Sequence, residues 1–161
     1  MKEYLPVLIV ISIVGAGLVT GLLFAFSNFV MKALADLPTE HGMFAMQRIN
    51  KTILNPLFFV LFFGTPLLCA LIALGTFKEI GELGSTLLCL GAITYLVGPF
   101  GINMLFNVPL NDRLAKATSN EAQREWPEYQ RKWQRWNHIR SYVGILSVFL
   151  LATGLSRLTN C

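Results

Sequence analysis

Charged residues are scarce in this 161-residue chain: Asp, Glu, Lys and Arg make up only 14% of it, while 54% is hydrophobic. Soluble domains carry about 25% charged residues, and the present composition leaves too little polar surface to face water on all sides. The net charge of +4 does not indicate a nucleic-acid partner, because the basic residues lie beside apolar runs rather than in a soluble basic domain. The composition therefore predicts an integral membrane protein.

Cysteine pairs and catalytic motifs are also missing. The three cysteines, Cys69, Cys89 and Cys161, form no CxxC pair, so neither a disulfide framework nor a zinc site is expected. The sequence has no GxGxxG, P-loop, HExxH or nucleophile-elbow motif. Its apolar runs contain no carboxylates, which are the usual basis of di-iron centres and proton-driven transport. We expect no metal site and no bound cofactor.

Long apolar runs are what the chain does have. Four are long enough to cross hydrocarbon as helices, which takes about 20 residues: 4–31, 54–77, 86–106 and 138–157. The predicted fold class is all-α, an integral membrane four-helix bundle formed by one transmembrane domain over residues 1–161, with interfacial helical extensions on the cytoplasmic side. Pro66 and Pro99 predict kinks in the second and third runs. Gly17 and Gly21 form a GxxxG pair that could let another helix approach closely.

The basic residues predict an orientation. Ten of the 13 Lys and Arg residues lie in the two segments 32–53 and 107–140, and the other three are Lys2, Lys78 and Arg157. Because positive charge accumulates on the cytoplasmic side, we expect both segments in the cytoplasm and both termini outside it. The membrane expected is the plasma membrane, the inner membrane of a bacterium.

Two polar segments flank these runs on the predicted cytoplasmic side. Residues 39–54 show the pattern of an amphipathic helix with Thr39 at its N-cap. Residues 112–125 carry mixed charge, and Ser119 or Asn120 is the expected N-cap of a last helix over about 127–157.

An aromatic and basic stretch, residues 126–140, precedes the last apolar run. At helical spacing one face carries Trp126, Tyr129, Trp133, Asn137 and Arg140. Tryptophan is enriched at membrane interfaces, and this aromatic belt is the expected role of Trp126 and Trp136. Trp133 shares the face of Asn137, where its ring could stack on a flat ligand.

Asparagines are the second notable feature. Asn103, Asn107 and Asn111 recur every four residues and are predicted to share one helix face. The topology brings further polar residues to the same membrane level: Ser27, Asn28, Gln47, Asn50, Asn55, Trp133, Asn137, His138 and Arg140. A buried carboxamide without a partner costs about 1–3 kcal/mol, so these groups either bond to one another across helices or are kept for a ligand in a pocket between the helices.

Arg140 and the two histidines are the candidate reactive groups. A planar guanidinium with five donors could bind a phenolate, enolate or carboxylate, and the alternative for Arg140 is a snorkelling anchor. His41 and His138 could act as a base or bind metal or haem. They lie on separate segments without Cys, Asp or Glu at ligand spacing, so a closed metal site is not expected.

Three segments carry a family resemblance: MQRINKTILNPLF, FNVPLNDRLA and WPEYQRKWQRWNHIR. In this order they resemble the anthrone oxygenase family of small four-helix membrane proteins, whose bacterial members mostly have no assigned function. The resemblance covers roughly residues 26–142. Its motif residues correspond here to Asn50, Asn55, Pro56, Phe58, Asn107, Pro109, Asn111, Trp133, Asn137 and Arg140.

The resemblance implies oxidation of an activated carbon acid by O2 without a recognised metal or flavin. Such chemistry needs a base, donors for the resulting anion and a dry aromatic pocket. The implied catalytic residues are His138 as base and Arg140 and Asn107 as oxyanion donors, with Asn137 as a further donor. The implied substrate-binding residues are Asn50, Asn55, Asn111, Trp133 and Asn137. His138 lies about 100° around the helix from Asn137, which points it toward a different groove.

A non-catalytic membrane protein is the alternative from another class. In a binding or accessory subunit the same Asn, Arg and Trp residues would form a structural hydrogen-bond network between helices. The expected partners in either case are the lipid bilayer and, for a binding protein or enzyme, a small hydrophobic or aromatic molecule. The sequence does not identify the substrate or the oligomeric state, and a homo-oligomer is one possible partner arrangement.

Overall fold

A computed structural model describes residues 5–159 of the chain. Over this range the regular structure is helical, apart from an isolated β-bridge between Ile80 and Glu82. Four helices are long and apolar enough to cross a membrane: Leu5–Ala35, Pro56–Glu79, Leu83–Ala115 and Ser119–Leu158. The predicted all-α membrane bundle is thereby confirmed.

The apolar runs form helices because they exceed the length of a strand and carry no break except proline. The α-helices are α1 (Leu5–Ala25), α2 (Met31–Ala35), α3 (Thr39–Thr52), α4 (Pro56–Thr76), α5 (Leu83–Tyr95), α6 (Val108–Ala115) and α7 (Ala122–Thr159). Two π-helical segments, Phe26–Val30 and Leu96–Asn107, continue α1 into α2 and α5 into α6. Short 3-10 turns, Phe77–Glu79 and Ser119–Glu121, follow α4 and precede α7.

The connection from α6 to α7 is fixed by polar contacts. Arg113 of α6 pairs with Glu125 at 2.7 Å and with Glu128 at 2.9 Å. Thr118 and Glu121 form a capping box at the start of the last helix, which satisfies two backbone N–H groups that would otherwise lack partners. The cap is therefore Thr118, not the expected Ser119 or Asn120, and α7 begins earlier than predicted.

α7 is the central element of the bundle. It packs against α1, α5 and the π-helical segment Leu96–Asn107, while α4 packs against α1 and α5. The buried apolar residues form two cores. One lies between the apolar helices and includes Ile72, Leu88 and Leu151. The other lies at the end of the bundle that carries α3 and α6, hereafter the polar end, and includes Met43 and Trp133.

Close helix contacts occur at glycines other than the GxxxG pair. A Cβ at Gly98 would lie 2.2 Å from Val143 Cγ1, and one at Gly144 would lie 2.5 Å from Thr20 Oγ1. A Cβ at Gly17 or Gly21 would meet nothing within 4 Å. The GxxxG pair therefore brings no other helix close within the described chain, and the tight approach is between α7 and its neighbours.

Pro99 changes the helix type rather than only bending it. Proline has no N–H to donate, so the carbonyl one turn earlier loses its usual partner. The chain continues as a π-helix over Leu96–Asn107, and at its end the Val108 N–H bonds to Asn103 O, five residues back. Wider π turns occur often at functional sites, and this one carries Asn103 and Asn107.

α3 packs over the N-terminal half of α7 and covers one side of it. Gln47 Nε2 donates to the carbonyls of Leu114 at 2.7 Å and Ala117 at 3.0 Å, which ties α3 to the end of α6. Trp126 is only 2% exposed and belongs to the core that Met43 also joins. An interfacial belt residue would face lipid headgroups, so the aromatic-belt interpretation of Trp126 is wrong. Trp136 is half-buried and stacks on the Phe106 ring, with centroids 3.8 Å apart.

Candidate functional site

A cavity of about 740 Å³ lies at the polar end of the bundle, between α1, α3, α4, α6, α7 and the π-helical segment Leu96–Asn107. Pockets for small ligands usually measure about 300–1,000 Å³. Its apolar wall contains seven aromatic side chains among aliphatic ones: Phe26, Phe44, Phe58, Phe59, Phe62, Phe63 and Trp133. Successive phenylalanines of α4 stack on one another, as Phe58 does on Phe62 at 5.2 Å. A flat apolar molecule is therefore the ligand shape that this wall suits.

Arg140 is the charged group in the depth of this cavity. It lines the cavity and is only 4% exposed. Its Nε and Nη2 donate to Asn137 Oδ1 at 3.0 and 2.8 Å, and its Nη1 donates to Asn103 Oδ1. Its Cζ lies 5.1 Å from the centre of the Trp133 ring, within the range of a cation–π contact. No carboxylate forms an ion pair with Arg140 in the described chain.

Asn137 positions Arg140 from behind the cavity. Its Nδ2 donates to Leu23 O at 2.8 Å and to Ser27 Oγ at 2.7 Å, so its Oδ1 must point toward the guanidinium. It is fully buried and is not part of the cavity wall. Because its Nδ2 is bound to the backbone of α1, Asn137 connects α1 to α7 rather than contacting a ligand.

The three asparagines on the third long helix all face α7, as their spacing predicts. Asn103 accepts from Arg140, Asn107 Nδ2 donates to Trp133 O at 3.2 Å, and Asn111 Oδ1 accepts from the Tyr129 hydroxyl at 2.8 Å. The prediction of a shared face is confirmed. Asn103 and Asn111 line the cavity, whereas Asn107 is fully buried outside its wall and its Oδ1 has no partner in residues 5–159.

The remaining asparagines differ in their roles. Asn50 lines the cavity, and its Nδ2 lies 3.5 Å from the Tyr129 hydroxyl, so α3, α6 and α7 meet at this tyrosine. Tyr129 was not among the predicted site residues, although its place on the face of Trp133 was a usable signal. Asn55 is exposed and caps α4, its Oδ1 accepting from Phe58 N at 3.1 Å. It stands outside the cavity wall, and its structural role explains its presence.

The two histidines lie away from this site. His138 is half-buried, does not line the cavity, and its Nδ1 has no partner in the part of the chain that the structure describes. Its offset around α7 from Asn137 accounts for this direction. His41 is exposed on α3. The carboxylate that does line the cavity is Asp112, which the sequence analysis did not select. Residues 5–159 contain no group of three His, Cys, Asp or Glu residues that could hold a metal ion.

Comparison with known proteins agrees with two of the three sequence segments, 106–115 and 126–140, while the first, 46–58, meets the matched range only at Phe58. The family model of anthrone oxygenase matches residues 58–150, more than half of the chain. These residues include Arg140, Trp133 and the asparagines of the third helix. No curated protein and no solved structure matches the chain significantly. Because this family model covers more than half of the sequence, the chain belongs to the anthrone oxygenase family.

Proposed function

We propose that this protein binds a small, flat aromatic molecule with one acidic group in the cavity and oxidises it with O2, as a membrane-bound monooxygenase. The observation that carries the proposal is the buried Arg140, which faces an aromatic cavity without a carboxylate partner in the described chain. Its three hydrogen bonds leave two of the five guanidinium N–H groups for a ligand.

The energetics favour an anion at this place. Removing a charge from water costs several kcal/mol even after the protein relaxes. The carboxamide oxygens of Asn137 and Asn103 and the face of Trp133 offset part of this cost, but none of them carries a full negative charge. An enolate or phenolate oxygen at the free N–H groups would supply that charge, and its rings would lie among the phenylalanines of α4.

The family name suggests anthrone as the first substrate to test. In that reaction the CH2 carbon between the rings loses two hydrogens and becomes a carbonyl. One atom of O2 enters the product and the other leaves as water, so O2 is the oxidant and the carbon acid supplies all the electrons. Arg140 would hold the enolate oxygen in its anionic form, and the phenylalanine wall would keep water from the reacting carbon.

A base is needed where the substrate arrives protonated. His138, which the resemblance implies for this role, does not line the cavity. Asp112 does, and it is the lining carboxylate within residues 5–159. In our proposal Asp112 accepts the proton as general base, and Arg140 stabilises the anion that results.

We further place the polar end of the bundle in the cytoplasm. The segments 32–53 and 107–140, which form this end, carry ten of the 13 Lys and Arg residues. Cytoplasmic segments are enriched in these residues. We accordingly expect a fluorescent protein fused to either terminus to lie outside the cytoplasm. Cytoplasmic fluorescence from both fusions would contradict this orientation.

The test uses a substitution that supplies the missing carboxylate. Asn103→Asp places a charge beside Arg140 without changing side-chain size, so it should keep the fold but lower anthrone affinity about tenfold or more, at 1.4 kcal/mol per tenfold. Arg140→Gln should lower kcat/KM about 100-fold, the usual effect of losing an oxyanion donor. Oxygen uptake and product absorbance in lipid nanodiscs measure both variants.

Asn55→Asp is the matched control. It makes the same change at the same end of the bundle, lies outside the cavity wall, and keeps a residue that caps helices well. We expect wild-type oxidation from this variant. If Asn103→Asp also oxidises anthrone at the wild-type rate, Arg140 does not bind the reacting anion.

The non-catalytic alternative is supported by Asn137 and Asn107, which bond to backbone carbonyls of other helices. Under that alternative, these bonds only join α1, the π-helical segment Leu96–Asn107 and α7. Asn103→Asp would then form an ion pair with Arg140, raise the melting temperature and change no binding property. Loss of anion binding in a variant with unchanged or raised stability separates the two functions.

A further inference from the structure

The cavity opens on one side of the bundle, between helices that belong to different packing groups. α3 packs mainly against α2, α6 and α7, whereas α4 packs against α1, α5 and the π-helical segment. Both contribute to the cavity wall. The exposed members of that wall lie on α3, on the first turns of α4, and on the π-helical segment and α6. These elements border the mouth.

The rim of the mouth on α4 is apolar and exposed. Phe59 is 44% exposed and Phe63 is 49% exposed, and both line the cavity. They belong to the apolar helix Pro56–Glu79, in which an 18-residue window has a mean hydropathy of 2.6. Met104, opposite them on the π-helical segment, is also exposed and lines the cavity. Side chains at this level of a membrane-spanning helix meet lipid rather than water.

The rim on α3 is basic. Arg48 and Lys51 are exposed and line the cavity, and neither forms an ion pair within the described residues. Together with Arg140 they outweigh the one lining carboxylate, Asp112. Basic side chains beside an apolar helix end lie at the level of lipid headgroups. The mouth therefore has an aromatic part at acyl-chain depth and a basic part at headgroup depth.

The polar end is closed in part. Gln47 bonds α3 to the carbonyls of Leu114 and Ala117, and Met46 and Trp126 are buried beside these bonds. Asp112 and Ala115 of α6 are exposed members of the cavity wall at this end. The mouth between α3 and α4 is the approach that the aromatic rim borders.

We propose that this mouth faces the bilayer and that the ligand enters sideways from the lipid leaflet. The occupant is an aromatic amphiphile with one acidic group, dissolved in the membrane. Its rings pass Phe59 and Phe63, while Arg48 and Lys51 attract its acidic group before Arg140 binds it. The ligand class rests on the proposed function, but the direction of the mouth does not.

The direction of the mouth is tested by spin labels in liposomes. A nitroxide on Phe59→Cys, in a chain with Cys161→Ser, should be relaxed by O2, which concentrates in lipid, and not by a water-soluble nickel chelate. Val60→Cys, 69% exposed but outside the cavity wall, is the lipid-facing control. Asn120→Cys, exposed in the polar connection before α7, is the water-facing control. Relaxation of the Phe59 label by nickel, as at Asn120, would overturn the proposal.

The route is tested by binding kinetics with 1-anilinonaphthalene-8-sulfonate, an anionic aromatic probe. The free aqueous concentration of the probe is held constant while cholesterol in the bilayer lowers the partition coefficient, so that only the probe density in the bilayer falls. The association rate should follow the bilayer density. A rate that follows the aqueous concentration would contradict entry from the membrane.

The basic rim has its own variant pair. Arg48→Gln with Lys51→Gln should slow association of the probe about three- to tenfold, as expected when charges that steer an anion are removed. Lys116→Gln, exposed at the same end but outside the cavity wall, should leave the rate unchanged. Equal rates in all of these variants would remove the rim from the proposal.

Failure of the proposed function gives a different pattern. If the probe does not bind, or binds equally well to Arg140→Gln, the anion site is wrong, and the spin label at Phe59 still decides whether the mouth meets lipid. If binding requires Arg140 but the label meets water, the function stands and the route from the bilayer falls.

Discussion

The guanidinium of Arg140 is held by two carboxamides that differ in how deeply they are buried. Asn137 is fully buried and bonded on both sides of its amide, while Asn103 is half-buried beside the cavity. Three of the residues selected from the sequence, Asn107, Asn137 and Asn55, thus serve the framework. Three others, Asn50, Asn111 and Trp133, line the cavity with Arg140.

The two carboxamides should respond unequally to truncation. Asn137→Ala leaves guanidinium donors and the Leu23 carbonyl without partners in a buried place, so it should destabilise the protein by about 3 kcal/mol. Asn103→Ala should cost less than about 1 kcal/mol, because water in the cavity can replace the lost acceptor. Thermal unfolding in detergent measures both, and equal losses would contradict the division into framework and cavity residues.

Asp112 is tested by separating binding from turnover. Asp112→Asn removes the base but not the anion site, so it should lower the rate of anthrone oxidation about 100-fold or more. It should leave the affinity for an already ionised phenolate within about twofold, since Arg140 is unchanged. His138→Gln is the companion variant, for which we expect wild-type turnover. A rate lost in His138→Gln and kept in Asp112→Asn would return the base to the histidine.

At the scale of helices, the π-helical segment and α7 define how closely the bundle is packed. Gly98 faces Val143 of α7 without room for a methyl group. Gly98→Ala should therefore destabilise the bundle by about 1–3 kcal/mol through overpacking, because the β-branched Val143 has few other rotamers. Gly17→Ala meets open space and should be neutral or slightly stabilising, since alanine is the better helix former. Unfolding temperatures that fall equally in both variants would contradict the contact.

The helices were predictable from the sequence to different degrees. Each apolar run exceeds the length of a strand, so the four long helices follow from hydropathy alone, and a period of four placed Asn103, Asn107 and Asn111 against one neighbour. The π-helix was not predictable beyond a kink at Pro99, since the register that replaces a lost hydrogen bond depends on the packing around it. The burial of Trp126 depends on α3 folding over α7, which no pattern within a single helix contains.

In the whole molecule, the core that holds the apolar helices together is distinct from the core beside the candidate site. The core around Ile72 and Leu151 joins the apolar helices, and the core around Met43 and Trp133 joins α3 to the site. The cavity lies beside the second core, where polar and charged side chains are buried with it. The sequence indicated the membrane level of this site through its asparagines. It could not show that Arg140 has no carboxylate partner within residues 5–159, because partners from other helices are a property of the assembled bundle.

The length of α7 predicts that ligand binding at the site depends on bilayer thickness. α7 has 38 residues, which corresponds to about 57 Å at 1.5 Å per residue. The part from Arg140 to the end of the helix spans about 29 Å, close to the hydrocarbon thickness of about 30 Å. When the far end of α7 lies at one edge of the hydrocarbon, Arg140 lies at the other edge. Longer acyl chains should submerge the guanidinium and weaken binding of the anionic probe, whereas shorter chains should not. A dissociation constant that is the same in short-chain and long-chain nanodiscs would show that probe binding does not depend on the depth of Arg140 in the bilayer.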